Sequence, residues 1–72
     1  MLTRFYFHLV KGENRIVDRV GTELCREVAM SPAIVESVRE IWPGTADRNA
    51  WEGWSVEIVD ATGRVIRTVT LR

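Results

Sequence analysis

Residues 4 to 10 run Arg-Phe-Tyr-Phe-His-Leu-Val, so that Phe5, Phe7 and Leu9 alternate with Arg4, Tyr6 and His8. A hydrophobic period of two is that of a β-strand with two unlike faces, because successive side chains of an extended chain point to opposite sides. One face offers an apolar wall for a core. The other carries a guanidinium, a phenol and the only imidazole in the chain. Such a strand demands a sheet covered on one side, and it directs the search for a functional surface to the other.

The chain has 72 residues, which is room for a single domain spanning 1–72. It is near the lower size limit for a fold held by one unstapled core. A chain this short buries only about 60% of its unfolded surface, so association with a second copy is a natural source of further stability. A homodimer is therefore expected. With 46% hydrophobic and 28% charged residues the composition is that of an ordinary globular protein. Ten Lys plus Arg balance ten Asp plus Glu, so no net positive charge draws the protein to nucleic acid or to an anionic membrane. Cys25 stands alone and fits a reducing, cytoplasmic setting. Arg4 and His8 interrupt the N-terminal apolar run, which argues against a signal peptide or a membrane span.

Lys11-Gly12-Glu13-Asn14 supplies turn residues, and Arg15 to Asp18 reads as a short returning strand that completes a first hairpin. Asp18 to Leu24 is expected to connect that hairpin to a helix, with Asp18 bonding its own backbone two residues on. From Arg26 to Trp42 the spacing becomes helical: Ile34, Val35, Val38, Ile41 and Trp42 gather on one side, and Glu36, Arg39 and Glu40 fall opposite. Glu27 falls within the apolar stripe when the same wheel is projected backwards, so one straight helix does not fit. Pro32 either kinks a long helix, the favoured reading, or begins a second one capped by Ser31. Pro43-Gly44 stops the helix, and 45–51 could form a single capped turn.

Trp54 to Val59 alternates again, with Trp54, Val56 and Ile58 on one face. Asp60-Ala61-Thr62-Gly63 is a type I turn followed by a glycine suited to the left-handed bulge position. In the resulting hairpin Asp60 closes against Arg64, Val59 faces Val65, Ile58 faces Ile66, Glu57 faces Arg67 and Val56 faces Thr68.

Two patterns resemble a family of short uncharacterised bacterial proteins known as a domain of unknown function. The first is Arg4-Phe5-Tyr6-Phe7-His8-Leu9, the Gly12 turn, then Asp18, Gly21, Glu23 and Leu24; the second is Trp54-x-Val56-x-Ile58-x-Asp60-x-x-Gly63-Arg64-Val65. They lie at both ends of the chain. The middle departs, because that family carries an uninterrupted Ala, Arg and Glu-rich helix where this chain has Pro32 and Trp42-Pro43-Gly44. The resemblance implies a ββαββ domain and brings no catalytic residue with it.

The expected architecture is α+β in two layers: two hairpins in one four-stranded sheet, with a kinked helix across the face that shows Phe5, Phe7, Leu9, Trp54, Val56, Ile58 and Ile66. Strand order 2-1-4-3 is preferred, since it centres the most apolar strands, over 1-2-3-4. The uncovered face should mix Val10, Val17, Val59, Val65, Val69 and Leu71 with Arg4, Tyr6, His8, Glu57 and Arg67, which is more apolar than a solvent face requires. Arg4, Tyr6, His8, Glu57, Arg67 and Val69 are accordingly the candidate interaction surface.

His8 is the natural acid–base group near neutral pH, yet no nucleophile or metal partner stands at a characteristic spacing from it, so no catalytic residue, metal ligand or cofactor is assigned. Asp18 and Glu23 are better explained by turn formation than by a hard cation, and Cys25 by packing than by reactivity. Trp42 and Trp54 fall on core faces, while Trp51 has no assigned place. The function indicated is a small non-enzymatic interaction module that self-associates or binds a protein through the open sheet face or a free sheet edge. The alternative is a sheet-surface nucleic-acid binder that stacks bases on Tyr6 and His8 and holds phosphates with Arg4 and Arg67; zero net charge counts against it.

Overall fold

In a computed structural model of the protein, which describes residues 1–41 and 51–71, the alternating stretch is a nine-residue strand, β1 (Thr3–Lys11). It is followed by β2 (Asn14–Ile16), β3 (Thr22–Leu24), two short helices α1 (Arg26–Ala29) and α2 (Ile34–Ile41), and the strands β4 (Ser55–Val59) and β5 (Val65–Thr70). The chain is a small α+β domain in which every strand pairing among the described residues is antiparallel. Along one side β1 pairs with β4; along the other it pairs with β2 and then with β3. The main path of the sheet is β2-β1-β4-β5.

Neither expected strand order is found, because β4 and not β5 lies beside β1. The rule that the most apolar strand goes inside holds, but it selects Ser55–Val59. Val56, Ile58 and Val59 are buried on both faces of β4, as an interior strand requires, whereas Val65 of β5 stays exposed at the edge. The connector after the first hairpin contributes an unexpected strand, since Thr22–Leu24 returns to pair with Thr3–Phe5.

The helix is divided rather than kinked. Met30 to Ala33 form turns, in which the Ser31 N–H donates to the Val28 carbonyl and the Ala33 N–H donates to the Ser31 hydroxyl at 3.2 Å. Pro32, which has no N–H to give, sits in this break. The alternative with Ser31 at the start of a second helix is closer to what is observed. Ile34, Val35 and Val38 form the buried stripe of α2 and Glu36 is exposed. The expectations for Trp42, the Pro43-Gly44 stop and 45–50 lie outside the described residues, as do the side chains of Arg39, Glu40 and Ile41.

One apolar cluster joins Phe5, Leu9, Val56 and Ile58 of the sheet to Ala29, Ile34, Val35 and Val38 of the helices, together with Trp51 and Leu71. Trp51 thus has a place in the core, at 5% exposure. Trp54 packs against the cluster from its edge.

The second hairpin turns as expected. The Asp60 N–H donates to the Arg64 carbonyl, the Gly63 N–H donates to the Asp60 carbonyl, and Gly63 has φ +89. Its register then departs. Val59 faces Val65, but Ile58 faces Arg67, Glu57 faces Thr68 and Val56 faces Val69. Two residues of β5 thus oppose one of β4; Ile66, within this bulge, still packs against the core as expected, and every side chain after it changes face. Val69 and Leu71, expected on the open face, turn toward the core: Leu71 is fully buried and Val69 packs against the cluster. Arg67 moves to the helix side, where its guanidinium donates to the Met30 carbonyl at 2.6 Å.

Along β1 the burial is uneven, with Phe5 and Leu9 each 1% exposed and Phe7 half-buried. Phe5→Ala should therefore cost roughly 3–5 kcal/mol, the range for a buried aromatic. Phe7→Ala should cost about half as much, since less apolar area leaves water at that site. Urea melts of the two variants measure the difference; equal losses would mean that Phe7 is as deep as Phe5.

Candidate functional site

The face of the sheet away from the helices is built by alternation. Arg4, Tyr6 and His8 of β1 point to it, and the register places Glu23 beside Arg4, Val59 beside Tyr6, and Glu57 beside His8. Four of the six expected surface residues, Arg4, Tyr6, His8 and Glu57, are therefore brought together. Arg67 and Val69 are not, for the reason of the bulge.

The charges on this face are internally matched. Arg4 donates to the Glu23 carboxylate at 3.0 Å and to the Val20 carbonyl at 2.7 Å. Arg15, which faces Val10 in the sheet, pairs with Glu57 across β1. Between the two ion pairs the rings of Tyr6 and His8 lie side by side, with centroids 6.5 Å apart and planes 27° from parallel. The expected partner of Glu57 was Arg67; Arg15 takes that role because Arg67 has left the face. With Val69 and Leu71 also gone, the open face is more polar than its sequence suggested. Exposed ion pairs of this kind are worth about 0–1 kcal/mol each, so they set polarity more than stability.

Asp18 organises the adjacent edge. Between the pairings of β2 and β3, residues 17–21 leave the sheet, and the backbone of Phe7 faces the gap. The Asp18 carboxylate fills it: Oδ2 accepts the Phe7 N–H at 3.1 Å, and Oδ1 accepts the N–H groups of Val20 and Gly21 at 3.1 and 3.0 Å. A side chain thus stands where a neighbouring strand would supply a carbonyl. The Asp18 N–H in turn donates to Nδ1 of His8 at 3.0 Å. That bond requires a lone pair on Nδ1, so the neutral imidazole carries its proton on Nε2, and Nδ1 is not free to act as a base. Partial burial opposes ionisation of Asp18, but the N–H groups of Gly21, Phe7 and Val20 outweigh it and hold the carboxyl below its ordinary value.

Gly21 follows from the same close approach. It has φ +73, and a Cβ there would lie 2.8 Å from Cγ of Arg4 and 2.9 Å from the Phe5 carbonyl oxygen. Only glycine combines that backbone angle with that proximity.

On the helix side of the same edge lies a groove of about 490 Å³, lined by Phe7, Leu9 and Val38 and bordered by Ile16, Val17 and Val20. Val20 is 76% exposed. Sequence reasoning missed it by placing Val17 on the open face and by treating 18–24 as a plain connector. The apolar residues on either side of Asp18 were the available signal. Cys25 precedes α1, is half-buried and makes no side-chain capping bond. Among the described residues no group of three or more His, Cys, Asp and Glu gathers as a metal site, and no helix is long and apolar enough to cross a membrane.

Asp18→Ala should cost about 2 kcal/mol, because three N–H groups lose a charged acceptor, and should raise hydrogen exchange at Phe7 and Gly21. The folded carboxyl titrates below its ordinary value of 3.8. Its stabilisation is therefore complete well above that pH and fades as the pH falls through the ordinary value toward the lower folded one. Melts between pH 7 and pH 2 should show the gap between wild type and Asp18→Ala closing in acid; a gap independent of pH would remove the charge from the account.

No curated protein and no solved structure matches the chain. A family model described as a domain of unknown function (DUF6894) matches residues 4–72. That match takes in both helices and all of the sheet except Thr3, and the chain belongs to the DUF6894 family.

Proposed function

We propose that this protein is a small non-enzymatic interaction module that self-associates, or binds another protein, through a free sheet edge or the open sheet face. The observation that carries the proposal is the position of β5. This six-residue strand ends the sheet, and no strand among the described residues lies on its outer side. An edge of that length presents a row of unpaired donors and acceptors, a ready template for a further strand. The open face supports the reading less than its sequence implied, because its charges already pair with one another. The modest core of a 72-residue chain favours association for its own stability. A cytoplasmic setting belongs to the same proposal and is supported by the lone thiol of Cys25.

The nucleic-acid alternative draws less support. Of its two phosphate-binding candidates, Arg67 is on the helix side, bound to the Met30 carbonyl, and Arg4 is held by Val20 and Glu23. Net charge is zero, so counterion release would contribute little.

Sedimentation equilibrium across the micromolar range should give a mass that rises from monomer toward dimer with concentration. Fluorescence anisotropy with labelled single-stranded RNA should show only weak binding. A submicromolar affinity that falls steeply with salt and is lost in Arg4→Ala would reverse the ranking of the two readings.

A further inference from the structure

The hydrogen-bonding phase of β5 can be read from bonds elsewhere in the sheet. In an antiparallel strand the N–H and C=O of one residue point to the same side, and the side alternates along the chain. The Phe7 N–H points to Asp18 and therefore away from β4. Its partner Ile58 must then direct its backbone toward β5, as must Val56. The Leu71 N–H donates to the Trp54 carbonyl at 2.9 Å, which fixes the same phase from the far end. Arg67, Val69 and Leu71 thus bond inward to β4, and Thr68 and Thr70 direct their N–H and C=O groups outward.

We infer that β5 pairs with β5 of a second copy, antiparallel and about a two-fold axis through Val69, to make one continuous sheet from two domains. The inference rests on the self-association reading above and specifies its site. An isologous contact brings residues equidistant from the axis together, and here those nearest to Val69 are two threonines, Thr68 and Thr70. In this register Thr68 of each copy faces Thr70 of the other, so that four backbone bonds form. The threonines meet on the open face, where such pairs are favourable. Val69 meets its own counterpart on the helix face and so continues the apolar layer from one copy into the next.

The strand's defences against such pairing lie elsewhere. It has no Lys or Pro, and its bulge at Ile66 is before the triplet. Its single charge, Arg67, stands opposite Leu71 of the second copy, and its guanidinium is drawn back to the carbonyls of Met30 and Ser31. The opposite edge is the less suitable one: β2 and β3 have three residues each, and residues 17–21 separate them.

The decisive variant is Thr68→Pro. Proline is tolerated on an edge strand where its missing N–H faces outward, so the monomer should keep its fold while the dimer loses a bond from each copy. Dimerisation should weaken by about tenfold or more, and Thr68→Val, which keeps the N–H and gives up only the threonine side-chain pairs, should weaken it far less. Hydrogen exchange on the wild type gives a second measurement should the proline variant unfold: protection of the Thr68 and Thr70 amides should rise with protein concentration. A wild-type dimer with fast exchange at both amides at every concentration would overturn pairing through β5 and leave self-association standing. A wild type that stays monomeric would overturn both.

Discussion

A carboxylate holds the sheet together where its backbone cannot. Strand β1 is bordered on one side by two strands that do not meet, and the Asp18 carboxylate occupies the break, bonded to Phe7 of β1 and to Val20 and Gly21 of its own loop. These bonds link the first hairpin to β3, and through β3 to α1, whose Ala29 is fully buried in the core. The Asp18 N–H also orients His8 on the open face. One residue therefore ties the continuity of the sheet to the arrangement of its exposed surface, and its neighbours, Gly21 above all, are shaped by the space that remains.

The second constraint is a single extra residue in β5. Without the bulge at Ile66, Arg67 and Val69 would join Tyr6, His8 and Glu57 on the open face. With it, Val69 and Leu71 complete the core and Arg67 reaches across to the carbonyls at the end of α1. The Ser31 carbonyl also accepts the Ile34 N–H at the start of α2, and a cation beside carbonyls that follow a helix end is well placed. The same slip leaves Thr68 and Thr70 with their backbone groups turned outward. What the core gains and what the edge offers are thus two results of one irregularity.

Much of this architecture was legible because its cause was local. The alternation of Phe5, Phe7 and Leu9 predicts a half-covered strand, Asp60 and Gly63 predict the hairpin turn that forms, and Ile34, Val35 and Val38 predict the buried side of α2. What was not legible depends on contacts distant in sequence. Thr22-Glu23-Leu24 has no strand pattern of its own and becomes a strand only because β1 offers it an edge beside Asp18. The bulge leaves no local trace, since Val65-Ile66-Arg67 alternates acceptably in either register, and the advantage of burying Val69 and Leu71 decides between them. Of the candidate surface, the four residues before the bulge were placed on the open face, and the two that follow it, Arg67 and Val69, were not.

The register between β4 and β5 decides the composition of both faces of the sheet and the hydrogen-bonding phase of the outer side of β5. Nuclear Overhauser contacts between α-protons report it directly, since these protons lie closest in pairs that share no hydrogen bonds. A strong contact between the α-protons of Glu57 and Thr68 is the predicted result. A strong contact between Glu57 and Arg67 would mean a hairpin without the bulge, with Arg67 and Val69 on the open face and the outward phase of Thr68 and Thr70 lost.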